Sequence, residues 1–392
     1  MPRARRNRLV AADKERYCAS RPGERLGPEE PAVDRVTSAM IDVVETAYDV
    51  QRQGDQWFSE LLDVSGPIFE RAVGAIIRVV ERPVDGGPIQ LGEQYATATV
   101  PSDWNETTRA MFKSLPPELI DLRTRPGTAH TYSELFGIYR ELRERFGVSG
   151  TYAEWSVDSN IEVIRKVVEV CRDTFVVAAT DPHGRGFILA ALLPEPTTIP
   201  ERERERWRML GAHLASGFRL RQGLSQEGAL VASALPGRAE AVLDPKDFHV
   251  TDASGAARDA DAIETLRDAA VAVDRARGAL RQTDPQESLA TWWALLQGRW
   301  SLVDWFDTDG RRYVLAHPNS PNVGDPRGLN ERETQAVTFA TLGETNKMIA
   351  YRLGVSESTV SRALKSALHK LHAKTTAQLI ERMRGLPLVQ TN

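Results

Sequence analysis

Residues 329–371 read LNERETQAVTFATLGETNKMIAYRLGVSESTVSRALKSALHKL. The punctuation of this stretch predicts three helices in close succession. Asn330 and Glu333 form a capping-box pair, so a helix begins at Glu331, and Gly343 ends it. Thr345 caps a second helix with Ile349, Ala350 and Leu353 on one side. Gly354 and Val355 make the turn, and Ser356 caps a third helix. In that third helix Val360, Leu364, Ala367, Leu368 and Leu371 form an apolar stripe at helical spacing. Ser358, Ser361, Arg362, Lys365 and His369 lie opposite, with no acid among them. A helix, a short turn and a second helix that buries one stripe and shows hydroxyls and cations on the other suits the DNA major groove.

The stretch resembles the C-terminal helix-turn-helix of LuxR-type transcription regulators. The resemblance rests on Leu329, Glu331-Arg332-Glu333, Gly343, Thr345-Asn346-Lys347, Ile349-Ala350, Leu353, Ser356, Thr359-Val360 and Lys370-Leu371, and covers roughly the last sixth of the chain. Met348 stands where that family often has Glu. Ser361 stands where it often has Lys or Arg, and Ala363 where it often has His. The resemblance implies a double-stranded DNA partner, with RNA polymerase as a further candidate partner. On the third helix Ser361, Arg362 and Lys365 are expected to face the bases. Thr345, Asn346, Lys347, Ser358, Thr359 and Lys370 are expected nearer phosphates. Thr376 caps a fourth helix in which Leu379, Ile380 and Met383 share a face; in the resembled family this helix often pairs two units. A homodimer on a roughly palindromic operator is the resulting expectation. Sigma factors carry a related motif, but no upstream region here resembles their polymerase-binding helices.

Charge supports the division of labour. The 392 residues sum to −4. Residues 329–384 hold nine Lys/Arg against five Asp/Glu, so this segment is +4 and the rest is −8. A basic segment on an acidic body fits a DNA-binding module attached to something that does not bind DNA. Two cysteines, Cys18 and Cys171, exclude a disulfide framework and suit a reducing cytoplasm. No apolar run approaches a membrane span, so no membrane partner is expected. The length predicts two or three domains.

The remaining chain reads as α+β. Residues 1–32 form a basic, Pro/Gly-rich tail expected to lack fixed structure. From Val33 come a helix with Val36, Met40, Val43, Val44 and Ala47, a helix with Trp57, Phe58, Leu61 and Leu62, and strands over 73–80 and 90–100. Helices follow over 107–115 and 132–146, then a strand at 151–157 and a helix at 161–171. A hairpin joins 175–180 to 186–193, and a long helix follows. Thr198 and Glu201 are its expected capping pair, Pro200 lies in its first turn, and its opposite face is a run of Glu and Arg that can pair locally. This order, over 33–222, resembles a GAF-like sensor domain. Residues 237–317 pair strands 239–243 and 248–251, add helices at 260–280 and 285–296, and close with a hairpin of 300–306 and 311–317. They resemble a trimmed PAS-like unit. Residues 318–328 make a stiff Pro/Gly linker into the helix-turn-helix domain at 329–392.

Other chemistry is thin. The seven histidines form no Cys/His cluster at metal spacing, and no metal or cofactor is expected. There is no Gly-x-x-x-x-Gly-Lys-Ser/Thr loop, no phosphoacceptor layout and no nucleophile–base arrangement. The Trp/Tyr/Asp pattern expected of a homoserine-lactone pocket is also missing. Trp292, Trp293, Trp300 and Trp305 crowd one region, and Tyr152 and Trp155 another; core packing is the favoured account of both. The reading is a cytoplasmic multidomain protein: α/β sensor-like domains, with room for a small-molecule ligand, followed by an all-α four-helix DNA-binding domain. It is not an enzyme on this reading. The alternative is a catalytic N-terminal half tethered to DNA by the tail.

Overall fold

The structure is a computed structural model. It describes residues 32–52, 54–83, 88–101, 104–115, 117–144, 171–180, 184–226, 235–236, 239–295, 300–318, 329–341, 343–353, 355–371 and 373–383. The basic tail, the strand and helix expected at 151–170, and all but Pro318 of the expected linker lie outside these residues, as do Tyr152 and Trp155.

The first unit runs through α1 (Ala32–Ala47), α2 (Gly54–Ser65), β1 (Gly74–Glu81) and β2 (Gln90–Ala96). It continues through α3 (Trp104–Ser114), α4 (Pro117–Thr124), β3 (Ala129–Thr131), α5 (Tyr132–Glu144), β4 (Asp173–Thr180), β5 (Gly186–Leu193) and α6 (Glu201–Gln226). Its five strands pair antiparallel in the order β2-β1-β5-β4-β3. Every residue of β4 and β5 is buried, which is why both strands are continuous apolar runs rather than alternating ones. Phe175, Val177 and Ala179 oppose Ala191, Leu189 and Phe187 and join the core with α1, α2 and α6. Val176, Ile188 and Ala190 point the other way, into a second core with Trp104, Phe112, Leu119 and Leu135 of α3–α5. Gly186, at φ +152°, makes the tight entry to β5; a Cβ there would lie 2.1 Å from the Ala179 carbonyl oxygen.

The long helix α6 differs from expectation at its start. Its N-cap is Pro200, whose carbonyl accepts the Glu203 and Arg204 N–H groups at 2.9 and 3.0 Å; the expected Thr198–Glu201 capping pair does not set its start. Part of its Glu/Arg face is covered, because α6 lies between β4 and α1. Arg204 and Arg206 are buried, and each has a partner that offsets the desolvation of its charge. Arg204 donates to Glu134 Oε1 at 3.0 Å, and Arg206 donates to Thr37 Oγ1 at 3.0 Å. Local pairing survives at the solvent edge, where Arg208 meets Glu201 at 2.8 Å. The short elements α4 and β3 were not foreseen. In α4 helical apolar spacing is weak, and three residues are too few for an alternation to show.

The second unit contains β6 (Ala241–Leu243), β7 (Val250–Ala253), α7 (Ala260–Arg277), α8 (Ala279–Thr283), α9 (Pro285–Leu295), β8 (Trp300–Phe306) and β9 (Arg312–Pro318). Its antiparallel sheet runs β7-β6-β9-β8, so both expected strand pairs form. Ala241, Leu243, Val314, Ala316 and Trp300 pack on Leu266 and Ala270 of α7. Val242, Val303 and Leu315 face the other way and join the main core together with Leu289 and Trp292 of α9. Trp292 and Trp300 are thus core residues, as the favoured reading had it, and Trp300 Nε1 donates to Glu240 at 2.7 Å.

The two units meet along α1. Gln51 Nε2 donates to the Phe306 carbonyl at 2.8 Å, and the Phe306 N–H donates to Gln51 Oε1 at 3.0 Å. Arg281 ion-pairs with Asp42 at 2.5 Å, and Arg277 reaches Asp304 at 2.7 Å and Glu45 at 3.8 Å. Tyr48 in the turn after α1, His213 of α6 and Trp292 of α9 form a ring triangle with centroid separations of 6.1, 5.9 and 5.9 Å. Helix α9 therefore sits in a bed made by the first unit.

Candidate nucleic-acid interface

Four helices follow: α10 (Glu331–Thr341), α11 (Asn346–Leu353), α12 (Glu357–Lys370) and α13 (Thr376–Met383). Their boundaries follow from side chains expected to cap them. The Asn330 N–H donates to Glu333 Oε2 at 2.8 Å, and the Glu333 N–H donates back to Asn330 Oδ1 at 2.9 Å, a complete capping box. Gly343 takes φ +82°, and the Glu344 N–H returns to the Phe339 carbonyl, which closes α10. Thr345 Oγ1 accepts the Met348 N–H at 3.4 Å at the start of α11. Ser356 Oγ accepts the Thr359 N–H at 3.2 Å at the start of α12. Gly354 lies outside the described residues, but the Val355 N–H reaches back to the Ala350 carbonyl across that turn.

Burial divides α12 along the predicted line. Of the expected stripe Val360, Leu364, Ala367 and Leu371 are buried and Leu368 is partly buried, and Ala363 is buried beside them, against α10 and α11. Ser358, Ser361, Arg362, Lys365 and His369 are exposed. Arg362 lies back along its own helix, with Nε donating to the Ser358 carbonyl at 3.3 Å. At the N-terminal end, Ser356 Oγ lies 2.9 Å from Ser358 Oγ and 2.8 Å from Thr359 Oγ1. Three hydroxyls and the free N–H groups of a helix start make a surface suited to a phosphate oxygen. Asn346 Nδ2 donates to Ser361 Oγ at 3.2 Å, which fixes the start of α11 against the exposed face of α12. Thr345, Asn346 and Lys347 are exposed beside that face, and Thr359 is partly covered. The structure thus brings Ser361, Arg362, Lys365, Asn346 and Ser358 to one surface.

Lys370 is placed differently. Its Nζ meets Glu333 at 2.7 and 3.0 Å, and Ser366 Oγ donates to the same carboxylate at 2.7 Å. Glu333 is buried, which alone would raise its pKa. Hydrogen bonds from Lys370, Ser366 and the Asn330 N–H outweigh burial and hold it below the ordinary value. One carboxylate therefore caps α10 and clamps the end of α12. The sequence showed the cap; it gave no signal for the clamp, because residues 333 and 370 meet only through the tertiary fold.

The expected pairing face is also engaged. Leu379 is 1 % exposed and belongs to the main core, and Ile380 is partly buried. The Met383 side chain lies outside the described residues. Helix α13 packs on α10 and α12, and on α9 of the second unit. The end of α12 also comes near the first unit, where His369 Nε2 lies 4.0 Å from Glu205 of α6.

Among the described residues no three His, Cys, Asp or Glu side chains gather in a metal-binding group, and no helix is long and apolar enough to cross a membrane. Residues 327–383 match the family described as bacterial regulatory proteins, luxR family. No curated protein sequence matches the chain. Among solved structures, one of SdiA in complex with octanoyl-rac-glycerol is 11% identical, covering 93% of this chain and 100% of that one, with a TM-score of 0.29. A structure of Escherichia coli SdiA is 10% identical, covering 87% and 95%, with a TM-score of 0.24. Likenesses this slight carry no argument about the fold or its ligand.

Proposed function

Residues 327–383 are a DNA-binding domain of the LuxR family of bacterial regulators, and from that premise we propose that the two preceding units sense a signal or mediate assembly and so control where this domain binds. The chain is a DNA-binding regulator. The observation that carries the finer reading is the exposed face of α12 that bears Ser361, Arg362 and Lys365, held in register by Asn346 and opposite the buried Val360, Leu364 and Ala367, with Glu357 as the one exposed acid at the start of the helix. Ser361, Arg362 and Lys365 are the base-facing set. Arg362 has the reach to donate to guanine once it leaves the Ser358 carbonyl. Thr345, Asn346, Lys347, Ser358 and Thr359 are the phosphate set. Lys370 joins them only by exchanging Glu333 for a phosphate. Two copies on a roughly palindromic site, with Leu379, Ile380 and Met383 at the pairing face, remain part of the proposal, as does a small-molecule signal in the first unit. RNA polymerase is the further partner such a regulator engages, and the cytoplasm is the compartment in which it works. The units before the DNA-binding domain act by binding rather than by catalysis.

The test is selection of duplexes from a random-sequence pool by the full chain, followed by titration of the selected and a scrambled duplex at several salt concentrations. A consensus with inverted half-sites, bound at least about a thousandfold more tightly than scrambled DNA, supports the reading. Equal affinity for both duplexes would remove sequence readout and leave only a basic surface.

A further inference from the structure

Helix α13 has one set of apolar side chains and two claims on it. It has only eight residues and lies against α9, α10 and α12. Among its side chains described, Thr376 and Ala377 are exposed, whereas Gln378, Leu379 and Ile380 are partly or wholly covered. Among the described side chains, a second DNA-binding unit that needed Leu379 and Ile380 would find only the Thr376–Ala377 edge exposed. The α9 side of the contact is not a stray surface. Leu289 and Trp292 of α9 belong to the same continuous apolar core as Leu379. Trp292 is wedged against Tyr48 and His213, and Arg277 lies 5.1 Å over its ring. So α9 touches α1 and α6 of the first unit on one side and the DNA-binding domain on the other. On α12, His369 Nε2 lies 4.0 Å from Glu205 of α6.

We propose that α9 is a latch. It holds α13 within its own chain, so the DNA-binding domain stands as a single half-site reader, and pairing of two copies through α13 requires that the α9–α13 contact open. Movement of α1 or α6 in the first unit reaches α9 directly, which gives those units a mechanical route to the pairing helix. A two-state element biased from both sides is what such control requires. The latch leaves Ser361, Arg362 and Lys365 of α12 exposed, so it governs how many chains assemble on DNA rather than whether one chain can touch it. The proposal rests on the reading of residues 329–383 as a DNA-binding domain.

The experiment uses the full chain with nitroxide labels on Gln286→Cys, at the start of α9, and Ala377→Cys, on the exposed edge of α13. The background is Cys18→Ser; Cys171 is buried. Pulsed electron–electron resonance gives the distance free and on the selected duplex, and sedimentation gives the number of chains per duplex. The free protein should show one narrow distance. On DNA it should lengthen by roughly 10 Å or more, about one helix diameter, as two chains assemble. A bis-maleimide bridge between the two cysteines should then hold the protein at one chain per duplex and weaken apparent affinity at least about tenfold. A distance that does not change on DNA, whatever the stoichiometry, overturns the latch. So does a bridged protein that still assembles as two chains with full affinity. Failure to select any duplex would instead undo the reading of the DNA-binding domain, and is seen before the labels are used.

Discussion

Replacing Glu333 with alanine should loosen the DNA-binding domain more than any substitution on its exposed face. The carboxylate accepts from the Asn330 N–H, from Ser366 Oγ and from Lys370 Nζ, and the residue is 4 % exposed. Loss of the capping interaction costs about 1 kcal/mol. A buried ammonium left without its carboxylate would cost about 3–5 kcal/mol. The Lys370 side chain is 32% exposed, so water recovers much of that and about 1–2 kcal/mol is the fair share. Together they give about 2–3 kcal/mol, or roughly a 30- to 150-fold rise in local opening. Hydrogen-exchange mass spectrometry of the full chain reads this directly, from peptides across α10 and α12. Lys370→Ala should cost less, about 1–2 kcal/mol, because Asn330 and Ser366 still hold the carboxylate. The pH sign is fixed by the lowered pKa of Glu333. Its contribution is intact above the ordinary value of 4.5 and is lost as pH falls through the lower folded value. If Glu333→Ala leaves protection in α10 and α12 within about threefold of the parent, or lowers it equally in β4 and β5, the clamp described here does not hold the domain together.

Arg362→Ala should erase about 1–3 kcal/mol of preference for the selected duplex over scrambled DNA, whereas Lys347→Ala should weaken both alike and lower the salt slope by about 1; binding titrations at several salt concentrations distinguish them. His317 is buried, neither ring nitrogen has a hydrogen-bond partner among the described residues, and burial pushes its pKa down from 6.5 to about 4. The folded state thus favours the neutral ring: its contribution is complete above pH 6.5 and fades by up to about 3 kcal/mol as pH falls towards 4, so His317→Leu should flatten acid unfolding measured over that window. A Cβ on Gly217 of α6 would lie 2.4 Å from the Ala47 carbonyl oxygen, so Gly217→Ala should force α6 from α1 and destabilise the first unit by about 1–3 kcal/mol, read as a lower thermal midpoint.

How far the sequence spoke depended on whether the information was local. Caps are local: Asn330 with Glu333, Thr345 and Ser356 named their helices before any tertiary contact was known, and each makes the expected bond. Hairpins are local too, and the apolar runs 175–180 and 186–193 pair as read. The two faces of α12 were legible because a period of 3.6 residues separates burial from exposure on one helix. What was not legible came from elements that meet at long range. The Glu/Arg run of α6 has the composition of a solvated face, yet Arg204 and Arg206 are buried, because Glu134 and Thr37 arrive from 70 and 169 residues away. Lys370 has the composition of a phosphate ligand, yet Glu333 reaches it from 37 residues back. Cationic side chains carry no mark in the sequence that says whether their counter-charge is protein or nucleic acid. On α12 the difference is set by distance from α10: Arg362 and Lys365 are exposed, whereas Lys370 lies at the end of the helix where α10 passes and a buried carboxylate is waiting. The same logic applies to α13. Its Leu379–Ile380 face satisfies the pattern of a pairing helix and equally that of a helix docked on its own chain, and only the tertiary positions of α9, α10 and α12 around it show that it is docked.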